Sequence, residues 1–156
     1  MENFNLEQAD PNFRNELAKQ PGGDNFAACY TCGTCTASCP IAAVNETFNP
    51  RRIIRLVLYG FKNEIFKSDF IWLCSSCYAC QERCPQGVSI TELMTVLKNM
   101  AFKEGHAPSG IRAQNELIKG EGRIYPIDDF DNKKRNKAGL PPVPTSCPVV
   151  EKLFPQ

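Results

Sequence analysis

An all-α protein is predicted, on three observations. Apolar residues recur at helical spacing in two stretches, Ile53 to Phe61 and Ile90 to Ala101. Each stretch opens on a helix-start signal. No run of strict alternation is present to make a strand.

The chain divides into a lead-in (1–28), a cysteine-bearing centre (29–104) and a C-terminal extension (105–156). The lead-in offers a short helix, with Asp10 as cap, Pro11 at the first helical position, and Phe13 and Leu17 on one face. Gly22 and Gly23 are expected to stop it. Asn49 and Pro50 start the next helix, in which Ile53, Val57 and Phe61 recur at four-residue steps beside Ile54 and Leu58. Arg51, Arg52, Arg55 and Lys62 fall mostly elsewhere, and Gly60 frays or ends the helix. A further helical piece runs from about Ser68 to Leu73. Ser89 and Glu92 have capping-box spacing, with Val88 able to staple against Leu93. Ile90, Leu93, Met94, Leu97, Met100 and Ala101 supply the buried face before Gly105 stops the helix. A last helix, about 109–119, is predicted to end at Gly120. The tail DDFDNKKRNKAGLPPVP is polar and then proline-rich, and reads as extended or mobile chain in which Lys133, Lys134 and Arg135 are solvated.

The bulk properties exclude several classes. A chain of 156 residues suits one modest domain, and a formal charge of +1 argues against a nucleic-acid binder. No apolar run approaches the ~20 residues that span a bilayer. The best candidate, IIRLVLYGF, is short and broken by Arg55. MENFNLEQAD lacks the features of a secretory signal, so a soluble, cytoplasmic protein is expected. In a reducing compartment nine cysteines favour metal binding over a disulfide framework.

Eight of them fall in two blocks, CYTCGTCTASCP (29–40) and CSSCYACQERCP (74–85). Each block is C-x2-C-x2-C-x3-C-P, the established bacterial spacing for [4Fe–4S] ligation. Three cysteines at three-residue steps can wrap one cubane cluster and reach three of its iron corners. Gly33, Thr34, Ser75, Ser76 and Ala79 are small or permissive enough for backbone amides to approach its sulfides. The fourth cysteine lies a helical turn beyond the third and tends to point away; in two-cluster proteins it serves the other cluster. The expected sets are therefore Cys29, Cys32, Cys35 and Cys84 on one cluster, and Cys74, Cys77, Cys80 and Cys39 on the other. Pro40 and Pro85 turn the chain after the ligand. Structural zinc prefers two pairs of ligands and leaves a third cysteine awkward. Disulfides between such close cysteines would be strained, and merely buried cysteines would not repeat at identical spacing.

Outside the blocks, Cys147 reads as a passive tail thiol, since no activating group is near it in sequence. His106, the only histidine, reads as a helix-end residue because both clusters already have four thiolates. Trp72 and Tyr78, beside cluster cysteines, are expected to shield them from water.

The long helical segment between the blocks resembles the α-helical ferredoxin domain rather than a compact bacterial ferredoxin. In detail the chain is similar to the C subunit of heterodisulfide reductase, on CGTCTASCP, NPRRIIRLVLYG, FIWLCSSCYACQERCPQGVSI, the helix ending in KEGH, and KAGLPPVP, covering most of 26–145. The resemblance implies an α-helical ferredoxin-like domain carrying two [4Fe–4S] clusters, followed by an extension, helical and then extended, that serves for docking. It also implies electron relay between two larger partners: a flavoprotein like the family's A subunit, and a CCG-type protein like its B subunit. No CCG module and no flavin-binding G-x-G-x-x-G segment occurs in this chain, so no catalytic site is expected on it alone. The alternatives are a free-standing di-cluster ferredoxin, a redox-sensing regulator and a cluster-delivery scaffold. Near-neutral charge gives a DNA-binding output little support, and two complete thiolate sets predict stable cluster retention.

Overall fold

A computed structural model of the chain describes residues 5–145 and 147–153. Among them lie ten α-helices, joined by short 3-10 turns, and no strand. The chain divides after His106 into two compact units.

In the first unit α1 (Phe13–Ala18) begins at Phe13 rather than Pro11. Asp10 does not cap the helix; its carboxylate accepts the Asn12 N–H at 2.8 Å and holds Pro11 and Asn12 in a turn. Phe13 and Leu17 are nonetheless fully buried, and Phe13 meets Phe66 edge-on, with ring centroids 5.7 Å apart. Two short helices, α2 (Thr34–Ala37) and α3 (Pro40–Val44), follow the first cysteines. Next, α4 (Pro50–Leu58) starts where the sequence indicates: the Asn49 side chain accepts the Arg52 N–H at 3.0 Å, and Pro50 takes the first helical position.

Ile53, Ile54, Leu56 and Val57 bury the inner face of α4. Phe61 is buried too, but by a different route from the four-residue periodicity. Gly60 turns left-handed at φ +80°. The Gly60 N–H then bonds the Val57 carbonyl (3.1 Å) and the Phe61 N–H the Leu56 carbonyl (2.9 Å), a Schellman stop that folds Phe61 back into the core.

The stretch after Gly60 departs from the prediction in where it is helical. It forms α5 (Lys62–Phe66) and a 3-10 turn (Phe70–Leu73), so helix appears earlier than Ser68 and tightens where regular helix is expected. Lys62, at the start of α5, pairs with Glu16 (3.3 Å) and Glu104 (2.8 Å). The hydrogen bond to Glu104 pushes its pKa up. Partly exposed pairs of this kind contribute at most about 1 kcal/mol each.

After α6 (Ala79–Glu82), α7 (Ile90–Lys103) is the longest helix of the unit, with Ile90, Leu93, Met94, Leu97 and Ala101 buried. Its start corrects the capping-box expectation. The Ser89 side chain makes no cap hydrogen bond. Gln81 Oε1 accepts the Thr91 N–H at 3.2 Å in its place, and Asn25, from the 3-10 turn Asn25–Ala28, takes the part expected of Glu92: its Oδ1 accepts the Ser89 N–H at 2.9 Å and its Nδ2 donates to the Gly87 carbonyl at 2.7 Å. Glu92 instead packs its Cβ 2.9 Å from where a side chain on Gly22 would begin, and buries Oε2 without a partner. Asn25→Ala removes these two bonds between the lead-in and the start of α7, and with them the weaker one from Asn25 Nδ2 to Ser89 Oγ at 3.5 Å. A loss of about 1–3 kcal/mol is expected, read as a lower denaturant midpoint. At the far end the Gly105 and His106 N–H groups close a second Schellman stop, and the His106 ring lies 6.4 Å from that of Phe66.

The second unit holds α8 (Ser109–Glu121), α9 (Asp129–Lys137) and α10 (Pro148–Leu153). Gly120 is helical; α8 stops at Gly122, whose φ of +69° places it beside Cys147 and Val150. The polar run expected as loose chain is helical over 129–137. Asp128 and Asp131 form a capping box there, with acidic residues at the positive end and Lys134, Arg135 and Lys137 at the negative end. Lys134 also sits over the Phe130 ring, 4.3 Å from its centroid. KAGLPPVP is the stop: Gly139 and Leu140 close a third Schellman motif before the prolines. Asn132 then clamps the extended return through two hydrogen bonds to Val143, at 2.9 and 2.8 Å.

Candidate iron–sulfur centre

The cysteine repeat is a repeat of backbone as well as of sequence, with each residue of the second copy 45 positions after its counterpart. It begins before the cysteines. The 3-10 turns Asn25–Ala28 and Phe70–Leu73 match, and bury Phe26 and Ile71 at equivalent places. Cys29 and Cys74 leave these turns extended. The chain then turns left-handed twice in each copy, at Thr31 (φ +64°) and Gly33 (φ +90°), and at Ser76 (φ +53°) and Tyr78 (φ +63°). Thr31, Ser76 and Tyr78 are the only non-glycine residues at positive φ among the described residues, and all lie in the cysteine loops. Such strain persists where the surroundings require a particular backbone path. Here it curls each loop so that its first three cysteines face one space. The short helices α2 and α6 carry the chain on to Cys39 and Cys84.

Two cavities result. One is lined by Cys29, Cys32, Cys35 and Cys84, with Thr31, Gly33, Thr34, Arg51, Ile54, Pro85, Val88 and Ile90. The other is lined by Cys74, Cys77, Cys80 and Cys39, with Ile41, Phe48, Pro50, Ser75, Tyr78, Thr91 and Met94. Each therefore takes three cysteines from one block and the fourth from the other. The first turns of α4 and α7 line both cavities, through Pro50 and Arg51 and through Ile90 and Thr91. The atom-free space, open mouths included, is about 280 Å³ in the first and about 330 Å³ in the second.

No disulfide joins any of the nine cysteines. Cys35 and Cys39 are buried, Cys32 and Cys77 exposed, and the other four block cysteines half-buried. Backbone N–H groups already point at sulfur: Thr31 to Cys29 (3.4 Å), Ala42 to Cys39 (3.5 Å) and Val88 to Cys84 (3.4 Å). Burial pushes the Cys35 and Cys80 thiols up, while the Thr34 hydroxyl beside Cys32 holds that thiol below its ordinary range. Metal binding releases the thiol protons of its cysteine ligands.

The donor set discriminates between metals. Among the described residues no three histidine, cysteine or carboxylate side chains gather closely enough for a single ion, as zinc at ~2.3 Å from each sulfur requires. Four cysteines around a space of this size suit a multi-iron cluster, whose corners stand well apart. The fit is sound: apolar walls, sulfur donors and inward N–H groups are what such a cluster requires.

Of the other residues singled out in the sequence, Gly33, Thr34, Ser75 and Tyr78 line the cavities. Ser76 and Ala79 shape the loop without lining it. Trp72 packs against the core outside both linings, and its indole N–H is buried without a partner. His106 and Cys147 lie outside both. Sequence reasoning missed Arg51, whose place on the polar side of α4 gave no sign that it reaches back over Gly33, and the walls Phe48, Thr91 and Met94. Thr91 is a buried polar residue whose hydroxyl lies 3.8 Å from the Cys80 sulfur.

Fold and site define an all-helical 4Fe–4S protein. The family described as "4Fe-4S dicluster domain" matches residues 25–88, which take in the whole repeat. The chain is 35% identical over 145 residues to the iron–sulfur C subunit of the CoB–CoM heterodisulfide reductase of Methanopyrus kandleri, covering 88% of this chain and 75% of that one. It is 38% identical over 131 residues to the C subunit of the ferredoxin:CoB–CoM heterodisulfide reductase of Methanosarcina mazei, covering 83% and 80%. The C subunit of a ferredoxin/F420H2-dependent CoB–CoM heterodisulfide reductase, from Methanosarcina acetivorans, is 40% identical over 131 residues, covering 83% and 78%. The chain belongs to the family of heterodisulfide reductase C subunits. It is an iron–sulfur electron-transfer protein, and none of its described helices is long and apolar enough to cross a membrane.

Proposed function

We propose that the chain binds two [4Fe–4S] clusters, one held by Cys29, Cys32, Cys35 and Cys84 and the other by Cys74, Cys77, Cys80 and Cys39. It relays electrons one at a time between a flavoprotein and a CCG-type, cysteine-rich catalytic partner within a cytoplasmic complex. The observation that carries this reading is the pair of four-cysteine cavities, each completed by the other block. Bound there, each cluster supplies one-electron chemistry, becoming one unit more negative on reduction. The chain's own residues hold the sulfurs, exclude water with Phe48, Ile54, Val88 and Met94, and leave Cys32 and Cys77 at the surface, where a partner's redox group can approach. The names of the relatives support the assembly, since a C subunit implies other subunits. The C-terminal extension, with Phe130, Leu140, Ile124 and Tyr125 exposed, is its docking segment in this reading.

The test is analytical. Anaerobically reconstituted protein is expected to hold about eight irons and eight sulfides, as two four-iron clusters require. A fully loaded protein with about four irons is incompatible with the two-cluster reading. Purification from the native source should bring down a flavoprotein and a CCG-type protein; a lone monomer there would favour a free-standing ferredoxin.

A further inference from the structure

The 45-residue repeat makes each cavity an internal control for the other, and the two differ in the charge carried by their linings. The residue that precedes each short helix stands left-handed in both copies, with φ +90° and ψ −2° at Gly33 and φ +63° and ψ −6° at Tyr78. The backbone is thus alike and the side chains are not. At Gly33 the missing Cβ leaves room for a guanidinium. A Cβ built there would lie 3.3 Å from Arg51 Nη1 and 3.8 Å from its Cδ and Cζ. At the matching place the phenol of Tyr78 lines the second cavity, whose lining contains no arginine or lysine. One cavity has a cation at its wall and its twin an aromatic ring.

We propose that Arg51 is a potential-setting residue for the cluster at Cys29, Cys32, Cys35 and Cys84, raising that potential and leaving its twin's unchanged. The inference rests on the two-cluster reading above. A guanidinium stays charged at any working pH. A fixed positive charge favours the more negative of two redox states, so it stabilises the reduced form and makes the potential less negative. The side chain leaves the first turn of α4 beside Asn49 and Pro50, so its backbone anchor is fixed by the cap. Tyr78 adds no net charge; a ring that displaces water acts in the opposite sense. Two other cations are near enough to name. Lys98 Nζ donates to the Cys74 carbonyl at 2.9 Å, and so belongs to the second site through the backbone. Arg83, next to Cys84, is exposed to solvent and more strongly screened. Arg51 is the cation that lines a cavity, although as an exposed side chain it too responds to salt.

The experiment is an anaerobic redox titration of the full-length reconstituted protein against a chemical reductant, with a spectroscopic signal that resolves the two clusters. In Arg51→Gln one midpoint is expected to move to more negative potential while the other stays in place. Arg51→Lys, which keeps the charge, should lie between Arg51→Gln and wild type. Introducing Arg51→Gln into Cys39→Ala, which retains only the first cluster, should show the same shift in the remaining signal. Raising the salt concentration should lower the wild-type first midpoint more than the second. Both midpoints moving together, neither moving, or a shift confined to the Cys74 cluster overturns the proposal. Should Arg51→Gln fail to load, the wild-type salt dependence decides, and two midpoints that respond alike to salt count against it. Iron and sulfide content is measured first. A wild-type protein without two clusters defeats the functional reading, whereas two clusters with unmoved potentials defeat only the role of Arg51.

Discussion

Cys39→Ala is expected to abolish the cluster at Cys74, Cys77 and Cys80 and to spare the one at Cys29, Cys32 and Cys35. Iron should fall from about eight to about four per chain, and the surviving spectrum should be that of the first cluster. Cys84→Ala should do the reverse. The reason lies in where the fourth cysteine sits. Cys39 caps α3, its sulfur accepting the Ala42 N–H, and the chain leads it out of its own loop into the wall of the other. Truncating it also trims a buried side chain, but the packing lost with one sulfur costs ~1 kcal/mol against the loss of a metal ligand. The folded frame therefore survives and the outcome is read in metal content. Selective loss of the Cys29-site signal in Cys39→Ala would contradict the crossed assignment.

The second large effect is structural. Gly60→Ala should lower stability by about 2–5 kcal/mol, from left-handed strain of ~1–2 kcal/mol plus overpacking of ~1–3 kcal/mol. Gly60 holds φ +80°, and a Cβ there would meet the Asp10 carbonyl oxygen at 2.4 Å. That neighbour is backbone and cannot swing aside. The Asp10 N–H also bonds the Gly60 carbonyl at 2.8 Å, so the clash falls where the lead-in is fastened to the end of α4. Gly105→Ala is the control, since φ is again +80° but nothing lies within 4 Å of the new Cβ. It should cost only the strain, ~1–2 kcal/mol. Equal losses by denaturant unfolding would show that close packing at Gly60 contributes nothing.

What could be read from sequence depended on whether the determining partners were local. Asn49 and Pro50 act within one turn, so the start of α4 was legible, as were the buried faces of α4 and α7. The eight cysteines were legible because their chemistry dictates spacing. The Ser89–Glu92 pair misled because the Ser89 N–H is taken by Asn25, which lies 64 residues away. The 129–137 helix was hidden by its polarity: it buries no residue, and capping, its dipole and the Lys134–Phe130 contact support it in place of a hydrophobic face. Arg51 was invisible as a wall of the site for a related reason. Its position on the helix is that of a solvent-facing cation, and only the empty space above Gly33, which belongs to another element, draws it over the cavity.

The crossed fourth cysteine has a consequence for chain entropy. Under the proposed ligand sets each cluster joins a thiolate of the first block to one of the second, and so closes a loop, of roughly fifty residues at the Cys84 cluster and roughly thirty-five at the Cys39 cluster. The relation that describes cross-links in an unfolded chain puts one such closure at about 4 kcal/mol. The two closures enclose the same central span, α4 and α5 included, so the second contributes much less than the first. Assembly should then be steeply weighted toward the first cluster acquired, which acts as a clasp on the fold while the second fills a site already gathered. Limited proteolysis between Asn45 and Phe70 should fall sharply on loading one cluster and little further on loading two.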